Sequence, residues 1–156
     1  MKEQAHKLRI AIRDLTTIVV EMEGHDCRQN LIIIKHWGKH KEKLTPNFYI
    51  GEYGCRDGTR GILIDKRMSE RLQAMREAIG KPIHITSAYR NPEHNEAVGG
   101  ADESRHMDGC AVDIAVIGMS GAELADWGRR FGFNGIGIAS TWCHLDVRDK
   151  PAEWRY

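Results

Sequence analysis

The sequence predicts an α+β fold, in which a small antiparallel sheet has helices packed on one side. Four segments alternate in polarity or are rich in β-branched residues, as strands are: residues 83–87, 110–116, 135–138 and 142–148. Three other segments carry the capping residues that begin and end helices. The turns between the predicted strands are short, which is typical of antiparallel pairing.

The first 44 residues are predicted to be an N-terminal helical extension of unknown role, and residues 45–156 to be the main domain. Between residues 2 and 23, apolar side chains recur every three or four positions, the period of an amphipathic helix: Leu8, Ile12, Leu15 and Val19. In the basic stretch that follows, His36 and His40 have the spacing of helical metal ligands. Neighbouring lysines would repel a cation, so we interpret this pair as solvated surface.

Three helices of the main domain have clear boundaries. Asp65 is placed to cap the first helix, which ends at Gly80. The second begins after Asn91, with a proline in its first turn, and ends at a pair of glycines. Ser120 opens the third with the spacing of a capping box, and that helix ends near Gly132.

Composition and charge exclude several classes of protein. The chain has 156 residues, 41% of them hydrophobic and 29% charged, which fits one compact domain. Lys and Arg number 23 against 22 acidic residues, so nothing favours binding to nucleic acid or to an anionic membrane. No apolar run reaches the roughly 20 residues of a membrane span, and the N-terminus does not resemble a secretory signal. We therefore expect a monomer that is made in the cytoplasm without an export route of its own.

The four cysteines give no sign of a metal or catalytic site. They form no C-x-x-C pair, which argues against a cysteine zinc site. Cys143 stands beside His144, but adjacent residues of a strand point to opposite faces. We interpret the cysteines as structural.

The residues that point to chemistry lie in two stretches. His106 stands at the end of a loop, and Asp113 lies in the strand that follows, with a glycine between them that permits a tight turn. Imidazole and carboxylate both suit Zn²⁺, whose catalytic sites have three protein ligands and an open position for water. His144, on a neighbouring strand, is the candidate third ligand. It shares a polar strand face with Asp146, whereas the alternate residues are apolar.

Three motifs occur in order along the chain. They are Ser87-Ala88-Tyr89-Arg90-Asn91-Pro92, Ser104-x-His106-x-x-Gly109-x-Ala111-x-Asp113 and His144-Leu145-Asp146-Val147-Arg148. The second matches every fixed position of the signature of the zinc D-Ala-D-Ala carboxypeptidase family. The first resembles that family's arginine-bearing segment, and the third resembles the last-ligand strand of its compact carboxypeptidase-like branch. The family includes vancomycin-resistance dipeptidases and many phage endolysins, and it shares a fold with lysostaphin and the hedgehog signalling domain.

The resemblance implies a hedgehog/D-Ala-D-Ala peptidase-like fold and a zinc-dependent peptidase. His106, Asp113 and His144 would be the zinc ligands. Arg90 would bind substrate and stabilise the scissile carbonyl or its oxyanion. Ser104 would hold the substrate or orient the ligand loop. The substrate would be a peptidoglycan stem peptide, cut by a carboxypeptidase or an endopeptidase that reaches the cell wall after release from a bacterium or by a phage.

One position departs from the family pattern. Several relatives carry an acidic general base three residues before the last histidine, where this chain has Thr141. Asp146 could take the proton instead, or it could orient a ligand from behind. Glu93 and His94 are further candidates. If none of them acts as a base, the chain would be an inactive relative that still binds zinc.

Two rival functions follow from the same residues. A non-haem Fe(II) oxygenase would use the His144-x-Asp146 pair, but this leaves His106 and Asp113 without a role. A phage structural or wall-binding module would keep zinc for stability, and such structural sites are usually closed by four protein ligands.

Overall fold

The computed structural model describes residues 8–12, 17–22, 31–34 and 42–156. Its helices are a 3-10 helix at Ile50–Tyr53, α1 (Lys66–Ile79), α2 (Pro92–Ala97) and α3 (Gly121–Arg130). Its strands are β1 (Leu8–Ile12), β2 (Thr17–Met22), β3 (Leu31–Ile34), β4 (Lys43–Thr45), β5 (Phe48–Tyr49), β6 (Ile62–Asp65), β7 (His84–Ser87), β8 (Ala111–Ala115), β9 (Gly135–Ile138), β10 (Cys143–Asp146) and β11 (Ala152–Arg155). Within these ranges, no helix has the length and apolar character needed to cross a membrane.

A five-stranded sheet, in the order β11-β9-β10-β8-β7, carries the residues of the candidate site. Its strands pair antiparallel, except that β11 runs parallel to β9. The register aligns Asp113 of β8, His144 of β10, Gly137 of β9 and Trp154 of β11 in one row across the sheet. Since partners in register point to the same side, these four residues share one face.

The other face of this sheet belongs to the hydrophobic core. Leu145 of β10 is fully buried there, with Leu124 of α3 in the same core cluster. Helix α3 approaches β10 closely, because a Cβ at Gly128 would stand 2.5 Å from a methyl carbon of Leu145. Polar residues of β8 and β10 therefore face the site while their neighbours in sequence anchor the core.

The predicted helix boundaries of the main domain are confirmed. The Asp65 carboxylate accepts a hydrogen bond from the first turn of α1, and Gly80 ends that helix with a φ of 71°, in the left-handed region. The Asn91 side chain caps α2 in the same way. Ser120 and Glu123 form the capping box of α3.

The four predicted strands are also confirmed, with ends that differ by at most two residues. These four strands pair antiparallel within one sheet, as expected, and further strands and sheets surround them. The described residues form a mixed α/β fold with three sheets, one of which contains the parallel pair β9–β11. Strand β11 was not predicted. It has only four residues, it follows Pro151, and its sequence shows no extended apolar pattern.

The amphipathic helix predicted over residues 2–23 is wrong where the structure describes it. Strands β1 and β2 pair antiparallel, with Leu8 opposite Met22. Four β-branched residues in succession, 17–20, favour a strand and outweigh the helical spacing of the apolar positions.

The N-terminal strands belong to the same sheet as a strand of the main domain. Strand β2 pairs with β3, and β3 pairs with β6, so one four-stranded sheet, β1-β2-β3-β6, includes segments on both sides of the predicted boundary at residue 44. The boundary itself stays a prediction. The interpretation of His36 and His40 as solvated surface lies outside the described residues.

Candidate metal centre

Three side chains converge on one point at the surface of the five-stranded sheet: His106, Asp113 and His144. The Nε2 atom of His106 lies 3.2 Å from both the Asp113 Oδ1 and the His144 Nδ1. The last two atoms lie 2.9 Å apart. All three residues are buried, and among the described residues this is the group of His, Cys, Asp and Glu side chains that could hold a metal ion.

Backbone geometry explains how His106 reaches the sheet. The loop before β8 turns at Gly109, whose φ of 72° is costly for other residues. A Cβ at this glycine would also stand 2.5 Å from the carbonyl oxygen of Leu63. The turn is held to the neighbouring sheet, since the backbone N–H of Asp65 donates to the Gly109 carbonyl at 2.8 Å.

The ring of His106 is oriented by the main chain. Its Nδ1 lies 2.7 Å from the carbonyl oxygen of Ala88, which can only accept a hydrogen bond. Nδ1 therefore carries the proton, and Nε2 presents a lone pair towards Asp113 and His144. Burial lowers the pKa of His106, which favours this neutral ring.

The ring of His144 is oriented from behind by a carboxylate. Its Nε2 lies 3.0 Å from Oδ2 of Asp146. Arg148 donates to both oxygens of that carboxylate, from Nη2 to Oδ2 at 2.6 Å and from Nε to Oδ1 at 2.8 Å. Burial opposes ionisation of Asp146, but the hydrogen bonds from His144 and Arg148 outweigh it and lower the pKa of this carboxyl. The ionised Asp146 accepts the Nε2 proton, so Nδ1 of His144 is left to face the other two residues.

Asp113 connects the two histidines to Arg90. One oxygen, Oδ1, faces the imidazoles, and the other, Oδ2, accepts a hydrogen bond from the Arg90 guanidinium at 3.0 Å. The ion pair with Arg90 favours the ionised form of this buried carboxyl group. The carboxylate is thus ionised and fixed in orientation.

The chemistry of these groups fits a divalent cation. Two ring nitrogens and one carboxylate oxygen, all of them acceptors, face one another at 2.9 to 3.2 Å, where they would repel without a positive charge between them. A tetrahedral zinc ion with bonds of roughly 2.0–2.1 Å separates its ligand atoms by about 3.3 Å. The triangle therefore has close to the dimensions of one face of a zinc tetrahedron, and all three residues line one cavity.

That cavity has a volume of about 410 Å³, in the range of pockets that bind small ligands. Its lining comes from the loop after α2, from β8, β10 and β11, and from residues that flank these strands. Its lining includes His106, Asp113 and His144, together with Arg90, Val98, Gly99, Gly100, Ala101, Glu103, Ser104, Arg105, Trp142, Arg148, Trp154 and Tyr156.

Some of the other predicted site residues line the cavity, and the rest do not. Arg90 and Ser104 both line the cavity, and the carbonyl of Ser104 accepts a hydrogen bond within the turn that carries His106. Asp146 is fully buried on the side of His144 that faces away from the triad. Glu93 and His94 lie on α2 and do not line the cavity.

Some groups at the site were not found by sequence reasoning. The Ala88 carbonyl belongs to the main chain and has no signature in the sequence. Trp154 lies on a strand that was not predicted, and Tyr156 directly follows that strand. Glu103 directly precedes the second motif and could have been considered as an acidic neighbour of the ligand loop.

Comparison with known proteins agrees with the geometry. The sequence profile of the family described as Peptidase M15 matches residues 44–146. Over 67 residues the chain is 43% identical to the zinc D-Ala-D-Ala carboxypeptidase of Streptomyces albus G. That similarity covers 42% of this chain and 26% of the relative, so the chain corresponds to about a quarter of that protein.

Proposed function

This chain belongs to the peptidase M15 family, and we propose that it is a zinc metallopeptidase that hydrolyses peptide bonds in the stem peptides of bacterial peptidoglycan. The observation that carries the proposal is the buried triad of His106, Asp113 and His144, with its fourth side open to a cavity. A structural zinc site would be closed by a fourth protein ligand. An open position suits catalysis.

Zinc is the cofactor that the donor set and the named relative both support. The Nε2 of His106, the Nδ1 of His144 and the Oδ1 of Asp113 would hold it. When bound, zinc supplies a Lewis acid that polarises a peptide carbonyl and lowers the pKa of a water molecule. The remaining steps depend on side chains of this chain.

Asp146 acts by positioning His144. Its carboxylate binds the far nitrogen of that ring and is itself held by Arg148, so neither of its oxygens reaches the cavity. Of the two roles that the sequence leaves open, orientation of a ligand thus has the geometric support. The same contact argues against an oxygenase site, because His144 and Asp146 bind each other and do not converge on a common ion.

Glu103 is our candidate for the general base. Among the described residues that line the cavity, the carboxylates are those of Asp113 and Glu103, and Asp113 is committed to the triad. A carboxylate on the open side can take a proton from the attacking water and return it to the leaving amine. Glu103, in the loop before the ligand motif, would then take the role of the acidic residue that several relatives have where this chain has Thr141.

Arg90 has two connected tasks. Its guanidinium holds the outer oxygen of Asp113, while its Nε donates to the Ser87 hydroxyl at 3.0 Å. These contacts fix a positive charge at the cavity wall, where it can stabilise negative charge that develops on the scissile carbonyl. Ser104 lines the same cavity, and we assign it to hold the substrate or to orient the ligand loop.

The name of the relative favours removal of a terminal D-alanine over cleavage of cross-links. The test uses the purified protein loaded with zinc, and two substrates: a synthetic peptide ending in D-Ala-D-Ala and a purified cross-linked muropeptide. Release of free D-alanine supports the carboxypeptidase. New amino termini only from the muropeptide would replace it by the endopeptidase. No product from either substrate, with one zinc bound, would overturn the hydrolase and leave a zinc-binding module.

A further inference from the structure

Strand β11 lies beyond the segment that matches the M15 family, which ends at residue 146, yet it forms part of the cavity wall. Its parallel register with β9 places Trp154 beside Gly137, in the row that contains His144. The backbone N–H of Tyr156 donates to the Ile138 carbonyl at 3.0 Å, so the main chain stays attached to β9 up to this residue. The side chains at 154 and 156 are therefore held in place on the site face.

Glycines in β9 make room for these aromatic residues. Strand β9 alternates glycine with isoleucine, and the isoleucines are buried in the core. A Cβ at Gly137 would stand 2.7 Å from the indole of Trp154 and 2.8 Å from the ring of Tyr156. Both rings thus lie directly over the glycine, and the indole reaches across it to His144, with ring centroids 5.2 Å apart.

Together with Trp142, these residues form a continuous aromatic surface. The rings of Trp142 and Tyr156 have centroids 4.8 Å apart, and those of Trp154 and Tyr156 are 6.2 Å apart. The guanidinium of Arg148 lies 5.2 Å from the centre of the Trp154 ring and fixes the indole further. All three rings line the cavity, and we call them the aromatic wall.

The wall is built to contact a ligand as well as to cover His144. Tyr156 keeps 68% of its surface exposed, whereas Trp142 and Trp154 are half-buried. The same cavity is also lined by small residues, Gly99, Gly100 and Ala101, whose side chains fill little of its space. Rigid aromatic faces beside such a space favour small apolar groups, and the contact with His144 places such a group next to the reacting bond.

We propose that Trp142, Trp154 and Tyr156 form a binding site for a small aliphatic side chain, such as the methyl group of alanine, adjacent to the scissile peptide bond. The inference rests on the proposed peptidase function and makes its substrate class more specific. Carboxylate side chains would lose hydration and meet the negative faces of these rings, so the site selects against acidic residues. Removing one methyl group from the ligand should weaken its binding about fourfold.

The experiment pairs variants of Tyr156 with changes in the peptide. Tyr156→Ala removes an exposed ring, and Tyr156→Phe keeps the ring and removes the hydroxyl. Arg155→Ala is the matched control, since this exposed residue of β11 alternates to the other face and does not line the cavity. Kinetics are compared for peptides ending in D-Ala-D-Ala and for the same peptides with glycine in either position.

We expect Tyr156→Ala to raise KM about tenfold for the alanine peptide with kcat within about twofold. Tyr156→Phe should raise KM less, because the ring is kept, and Arg155→Ala should behave as wild type. The penalty should shrink about fourfold when the methyl group that faces the wall is absent. An unchanged KM, or an equal penalty for alanine and glycine peptides, would overturn the proposal. A fall in kcat for Tyr156→Phe would also overturn it, because the hydroxyl would then take part in the chemistry.

A second measurement keeps this test separate from the proposed function. Titration of the zinc-loaded protein with a peptide analogue whose scissile amide cannot be hydrolysed, followed by calorimetry, reports binding without turnover. If no peptide is ever cut but Tyr156→Ala still weakens binding of the alanine peptide, the aromatic wall stands and the hydrolase fails. If cleavage occurs but the variant binds both peptides as wild type does, the hydrolase stands and the wall fails.

Discussion

The two faces of strand β10 are equally buried but have different roles, one in the hydrophobic core and the other in the candidate site. Cys143 and Leu145 face the core, whereas His144 and Asp146 face the site, and none of the four exceeds 5% exposure. On the core face, packing against α3 suffices. On the site face the His144 Nε2 and both Asp146 oxygens have hydrogen-bond partners, which leaves the His144 Nδ1 directed at the triad. Burial stabilises one face and pre-organises the other.

Replacing His144 should break the site face with the largest effect. His144→Ala removes one of three metal ligands, so we expect loss of zinc at micromolar concentrations and a fall in kcat/KM of more than about a thousandfold. Zinc content by elemental analysis and peptide hydrolysis measure the two effects. Retention of one zinc per chain with full activity would show that His144 is not a ligand.

Replacing the next residue should break only the core face. Leu145→Ala leaves a cavity under α3 and should lower the free energy of unfolding by about 2–5 kcal/mol. Chemical denaturation gives that change, and zinc content per folded molecule should stay at the wild-type value. A variant as stable as wild type would contradict the close packing of Leu145 against α3.

A substitution on the cavity side of His144 tests the proposed general base separately from the metal ligands. We expect Glu103→Gln to lower kcat about 10²- to 10³-fold with zinc retained, since a general base contributes in this range. Asp102→Asn, the neighbouring exposed acid, does not line the cavity and is the control. Equal activity of the two variants would exclude Glu103 as the base.

A change on the far side of His144 should have a smaller effect. Asp146→Asn weakens the hold on the ring, and we expect zinc affinity to fall about 10- to 100-fold, with activity restored at saturating zinc. Competition with a chelator measures the affinity. If activity stays lost when zinc is saturating, Asp146 takes part in the chemistry beyond positioning.

Much of this arrangement could be predicted from the sequence because the signals are local. Capping residues such as Asp65 and Ser120 act within one turn of their helices, and the alternation around His144 separates the polar face from the apolar one. The convergence of His106 and Asp113 could be expected from a short loop with a glycine. These features depend on residues that are neighbours in the chain.

The rest depends on contacts between distant segments. The helical period of apolar residues over 2–23 predicts a helix, but the structure pairs β1 with β2 and β2 with β3. No local pattern specifies which strands pair. The tautomer of His106 depends on the Ala88 carbonyl, 18 residues earlier. The position of Trp154 depends on the space over Gly137, which appears only when β11 joins the sheet.

The central claim is that one zinc ion binds between three particular atoms, with a position left open to the cavity. A crystal structure of the zinc-loaded protein, with anomalous diffraction recorded at the zinc edge, tests it most directly. We predict one strong peak about 2.0–2.2 Å from the Nε2 of His106, the Nδ1 of His144 and a carboxylate oxygen of Asp113. A peak elsewhere, or a zinc bound through the Nε2 of His144 with Asp146 as its ligand, would contradict the account.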